Sequence, residues 1–133
     1  MTDISTPALR ALVAASLLLA TATLMLVTVS AARAAGALAI GNCGAYGRAY
    51  DFPNPKAASE SALGKCDGNA CRVVTTARHS CAAFAVDGTN PCGGHGWGKG
   101  VRLGPAQNDA LRSCYKDGGH DCVIRTFFCD AKG

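Results

Sequence analysis

The chain has 133 residues, 13 basic against 9 acidic, and a formal net charge of +4. No run of five or six like charges occurs, which excludes the pattern of a nucleic-acid binder or a membrane-surface protein. At this length the chain holds one domain.

Residues 1–34 read as a secretory signal peptide. Met1 to Arg10 is a polar start, Ala11 to Val29 is an apolar run, and Ala32 and Ala34 supply the small-x-small cleavage pattern. The apolar run is nearly long enough to span a bilayer as an uncleaved anchor. The small-residue site favours cleavage after Ala34, so no stable membrane span is expected to remain. Removing the leader takes away Arg10, Arg33 and Asp3, leaving +3 on the exported domain 35–133. All eight cysteines lie in that domain, and an even count in a short exported chain implies a disulfide framework. The framework is needed. Four Phe, three Tyr and one Trp make a marginal core, and each cross-link adds ~2–4 kcal/mol.

Leu38 to Ile40 is a short apolar start. Cys43 to Tyr50 places Tyr46, Arg48 and Tyr50 at period two among small residues, a strand signal. Phe52-Pro53-Asn54-Pro55 ends it, with Asn54 as helix N-cap and Pro55 at the first helical position. The spacing of Ala58, Ala62, Leu63 and Cys66 predicts a helix over Lys56 to Cys66 with a narrow, small face. Asp67 to Asn69 is a turn. Cys71 to Thr76, rich in β-branched residues, is the strongest strand signal. Cys81 to Val86 continues it or forms a second strand, and Asp87 to Pro91 is a turn cluster. The order then recurs. Gly96-Trp97-Gly98-Lys99-Gly100 matches Ala45-Tyr46-Gly47-Arg48-Ala49, Pro105 opens a helix through Tyr115, and Cys122 to Cys129 is the last strand.

The chain therefore reads as two pseudo-repeats, about 37–90 and 91–133, each strand–helix–strand. The expected fold is a small disulfide-stapled α+β domain. Its antiparallel or mixed sheet has four to six strands, with two helices on one face and a pseudo-twofold between the units. Gly41-Asn42-Cys43-Gly44-Ala45-Tyr46-Gly47-Arg48, Ala62-Leu63-Gly64-Lys65-Cys66, Cys71-Arg72-Val73-Val74, Cys81-Ala82-Ala83-Phe84-Ala85 and Gly96-Trp97-Gly98-Lys99 together resemble the bacterial secreted-protein family catalogued as domain of unknown function 4189. The resemblance covers nearly all of residues 36–130. It implies an exported protein and supplies no catalytic residues. Beside it, Cys43 and Cys92 look like additions to a pattern of three cysteines per unit.

Eight cysteines allow 105 pairings. The duplication suggests one. Cys66 and Cys71 flank a tight turn from helix end to strand start, and Cys114 and Cys122 occupy the equivalent places. Cys81 and Cys129 are related by the pseudo-twofold and pair across it, which leaves Cys43 with Cys92.

Other chemistry is poorly supported. Cys92-x-x-His95, His79-x-Cys81 and His120-x-Cys122 lack the paired arms of a structural zinc site. No spare cysteine is left to act as a thiolate. Gly93-Gly94-His95-Gly96-Trp97-Gly98-Lys99 imitates a phosphate loop, but Gly100 stands where magnesium binding needs Ser or Thr. No metal, cofactor or catalytic residue is expected. Tyr46, Arg48, Trp97 and Lys99 form a candidate binding strip, an aromatic and a cation on each of two equivalent strands. The competing reading makes the aromatics core and lets the cations snorkel. The functional expectation is an exported, non-enzymatic module of the cell envelope or extracellular space. Its partner is a protein or envelope component, bound in an inhibitor-like or protective role. The alternative is a small envelope hydrolase using His79, His95 or His120.

Overall fold

The computed structural model describes Pro7, residues 12–16 and residues 34–130. Most of the expected signal peptide and residues 131–133 lie outside the described residues. Among the described residues, no helix is long and apolar enough to cross a membrane.

The domain runs β1 (Ala35–Ile40), a 3-10 turn (Asn42–Gly44), β2 (Tyr46–Phe52), α1 (Pro55–Gly64), β3 (Arg72–Ala77), β4 (Cys81–Asp87), β5 (His95–Gly100), α2 (Leu103–Lys116) and β6 (Cys122–Cys129). The α+β class and the disulfide staples are as expected. The α1 start also follows the sequence logic: the Ala57 N–H donates to Asn54 Oδ1 at 2.8 Å, and Pro55 opens the helix.

The single sheet needs correction. Two three-stranded antiparallel sheets form, in the orders β2-β1-β3 and β5-β4-β6. The connector from β3 to β4 is only residues 78–80, and His79 turns it with a φ of 49°. So short a corner carries the chain into a second sheet and puts β4 at its centre. The second sheet thus begins at Cys81, ahead of the turn cluster expected to divide the halves. Each half reads strand–strand–helix–strand, because Ala35–Ile40 is a full strand at the centre of its sheet.

The two helices on one face are corrected for a related reason. Every residue of β1 and of β4 is buried, so both faces of each central strand are covered. One face of each sheet meets the other sheet: Leu38, Ile40 and Ala77 pack with Ala82, Phe84, Val86 and Phe128. The other face is nearly all alanine. Ala35, Ala37, Ala39 and Ala49 receive Ala58 and Ala62 of α1, while Ala83 and Ala85 receive Ala106, Ala110 and Cys114 of α2. Alternation at period two therefore yields four layers, helix–sheet–sheet–helix.

That layering explains the repeated small–aromatic–Gly–basic–small motif. On β2 and β5 the glycines face the helices, and the aromatic and basic residues face the space between the sheets. A Cβ on Gly47 would overlap the Ala62 carbonyl of α1, and one on Gly98 would overlap the Ala106 carbonyl of α2. Gly98→Ala is expected to cost about 1–3 kcal/mol by overpacking. Gly104→Ala, which has open space around its Cβ, should be neutral or mildly stabilising. Urea unfolding of the two variants checks the contrast.

Candidate functional site

All eight cysteines are bonded, as Cys43–Cys92, Cys66–Cys71, Cys81–Cys129 and Cys114–Cys122. These are the four expected pairs, but the ground for Cys81–Cys129 needs correction: the two cysteines belong to one unit and are not equivalents across the pseudo-twofold. Cys66–Cys71 and Cys114–Cys122 each tie a helix end to the following strand, with Cα atoms 6.2 and 6.1 Å apart. Cys81 and Cys129 stand directly opposite in the β4/β6 register, so this bond lies within one sheet. Cys43–Cys92 joins the β1–β2 turn to the β4–β5 turn, and so links the two sheets at one end of the sandwich.

The four strip residues fall on two flanks. Tyr46 packs against the inter-sheet core, its ring 6.3 Å from Phe84. Trp97 sits opposite Phe84 on β5 and stays 38% exposed. Arg48 lies 6.0 Å from the centre of the Tyr50 ring, and its guanidinium donates to the Phe127 carbonyl of β6. The Lys99 ammonium donates to the Thr76 carbonyl of β3 at 2.7 Å. Each cation thus reaches from an edge strand of one sheet to an edge strand of the other. One hydrogen bond from each helps to clasp the sandwich.

The three histidines follow one rule. Each backbone N–H donates to an aspartate carboxylate distant in sequence: His79 to Asp130 at 2.9 Å, His95 to Asp117 at 3.0 Å and His120 to Asp87 at 2.8 Å. Asp87 is buried and also accepts from the Thr89 backbone and hydroxyl and the Asn90 backbone. It therefore locks the β4–β5 turn to the loop before β6.

His95 has a second link, from Nδ1 to Asp117 Oδ2 at 3.1 Å. With Nδ1 directed at a carboxylate, the ring is held in one orientation and Nε2 is the free nitrogen. His95 lines a cleft of about 510 Å³ beside the Cys43–Cys92 bridge. Ile40 at the end of β1 and Arg72 at the start of β3 form one wall; Asn42 and the bridge stand at the turns. The volume is in the range of small-ligand sites, ~300–1,000 Å³. Among the described residues, no group of three metal-ligating side chains gathers here or elsewhere. Gly93 to Lys99, the imitation phosphate loop, crosses a turn into strand β5 rather than entering a helix. Sequence reading missed Asn42, Arg72 and Asp117, because the cleft is assembled from turns and strand ends far apart in the chain.

A family model described as Domain of unknown function (DUF4189) matches residues 35–129. The curated proteins and the solved structures contain no match to the chain.

Hydrogen bonds from the His120 backbone N–H, the Thr89 hydroxyl and the Thr89 backbone N–H hold the Asp87 carboxyl well below the usual carboxylate range. A depressed carboxylate stabilises the fold above its unfolded pKa of ~3.9 and loses that contribution as pH falls through its folded value. Stability should therefore decline only below pH ~4 on account of this group. Asp87→Asn should lower stability at neutral pH and flatten the acid limb, as read by thermal melts from pH 7 down to pH 2.

Proposed function

We propose that this chain, which belongs to the DUF4189 family, is an exported, non-enzymatic module that binds a protein or another component of the cell envelope in an inhibitor-like or protective role. The observation that carries the reading is the complete pairing of eight cysteines in so small a domain. Such pairing persists outside the reducing cytosol and suits a rigid binding body rather than a flexible one. The export signal is residues 1–34, and cleavage after Ala34 leaves Ala35 as the first residue of the central strand β1. The binding surface is the cleft beside Cys43–Cys92, extended along β5 to the half-exposed Trp97. In the strip of Tyr46, Arg48, Trp97 and Lys99, the two cations are already committed to carbonyls, which leaves Trp97 as its readiest contact.

One observation favours the second reading, a His-based hydrolase. His95, oriented by Asp117 and lining a cleft, has the arrangement of a general base. Against it, no hydroxyl or free thiol among the described residues lines that cleft to act as a nucleophile.

Two measurements decide between these. Intact mass of the exported protein should show loss of residues 1–34 and no alkylatable thiol without reductant. A photo-crosslinking side chain at Ala70, in the cleft, should capture a defined envelope component, whereas the same probe at Lys56 on α1 should not. Equal capture at both positions overturns the binding reading. Hydrolytic activity abolished by His95→Gln would replace it with the second.

A further inference from the structure

The chemistry lining the Cys43–Cys92 cleft is one-sided. Arg72 is exposed and makes no ion pair among the described residues. Asn42 is exposed on the β1–β2 turn and its side-chain amide makes no hydrogen bond among the described residues. His95 points its free Nε2 away from the Asp117 contact. Among the described residues no carboxylate lines the cleft, and the nearest to its lining is Asp117, on the Nδ1 side of His95. The guanidinium and amide donors, with the His95 imidazole beside them, form a set suited to an oxyanion, and Arg72 supplies the planar fork. Asp117 fixes His95 from the ring Nδ1 and from the backbone N–H together.

The cleft is also prebuilt. The Asn42 N–H donates to the Asn69 carbonyl at 3.0 Å, tying the first turn to the loop before β3. The second turn is locked by Asp87, and the disulfide joins the two. A ligand entering here orders little new chain, which lowers the entropic cost of binding.

We propose that this cleft binds an oxyanion group, carboxylate or phosphate, on a ligand of short-peptide size, with Arg72 as the principal contact and Asn42 and His95 beside it. The inference rests on the binding reading above and names the ligand chemistry of that same cleft.

The test is an amide chemical-shift titration of the exported, oxidised protein. The probes are a blocked Gly-Glu-Glu-Gly tetrapeptide, its Gln and Lys counterparts, and inorganic phosphate. Saturable shifts at Asn42, Arg72, Gly93 and His95 with the Glu peptide or phosphate, but not with the Gln or Lys peptides, are expected. The Glu peptide acting alone would assign a carboxylate source, and phosphate acting alone a free phosphate source. Arg72→Met should weaken the effect by roughly tenfold or more, the scale of one charge-assisted hydrogen bond. His95→Gln is the second variant if Arg72→Met disturbs β3, with the remaining amides reporting the fold. Equal shifts with the Gln or Lys peptides overturn the oxyanion assignment while leaving the cleft a binding surface. No shift with any probe, or shifts unchanged in both variants, overturn the assignment outright. In either case, crosslinking at Ala70 judges the binding reading independently.

Discussion

Close approach of helix and sheet backbones, over faces built mainly of alanine and glycine, is the constraint on which the domain depends. Among the described residues, Leu38 and Phe84 are the only large hydrocarbon side chains enclosed completely. The helices meet large side chains only where these are partly buried: Phe52 and Val73 at α1, and Ile124, beside Leu103 and Leu111, at α2. At their centres they lie on Ala37, Ala39, Ala83 and Ala85, and on Gly47 and Gly98 where a Cβ would strike the helix. Dispersion is strong at such separations because atoms are dense on both sides, but the apolar area per residue stays small. The inter-sheet layer carries the larger hydrophobic contribution, around Phe84 and Phe128.

That imbalance explains the number and placement of the disulfides. In a chain-entropy treatment, a loop of about 50 residues is worth about 4 kcal/mol, and the two short loops about 2–2.5 kcal/mol each. The long loops are closed by Cys43–Cys92 and Cys81–Cys129, separated by 49 and 48 residues. These contributions are comparable to the whole net stability of a small domain. The short bonds do a different job, fixing each helix end to its next strand. Polar groups supply the remaining ties. Arg48 and Lys99 bridge edge strands across the sandwich, and three aspartates each receive a histidine backbone N–H from another part of the chain.

Much of this was legible in the amino-acid order, and the rest was hidden for physical reasons. The two helices, the Cys71 strand and the equivalence of the two motifs depend on local spacing, which a single sequence displays. The β1 strand did not stand out, because Ala-Gly-Ala-Leu-Ala-Ile is buried on both faces and shows no polar alternation. It also adjoins the expected cleavage site. The division into two sheets depends on a three-residue corner at Arg78-His79-Ser80, where a left-handed histidine carries no compositional mark. The cleft was least legible of all. Its residues come from two turns, the end of β1 and the starts of β3 and β5, and only the sheet-to-sheet packing brings them together.

The same packing gives the Cys43–Cys92 bond a role that the other three bonds do not share. The other three bonds act within a helix–strand junction or within one sheet. This one spans the sheets at the mouth of the cleft, with both of its cysteines exposed. Arg72 belongs to one sheet and His95 to the other, so their spacing is held by the core from below and by this bridge at the rim. Cleaving it would leave the Phe84 layer intact while freeing the two turns to move apart. Rigidity at the cleft is therefore partly separable from stability of the fold: the core positions the strands, and the exposed bridge holds the turns that complete the site.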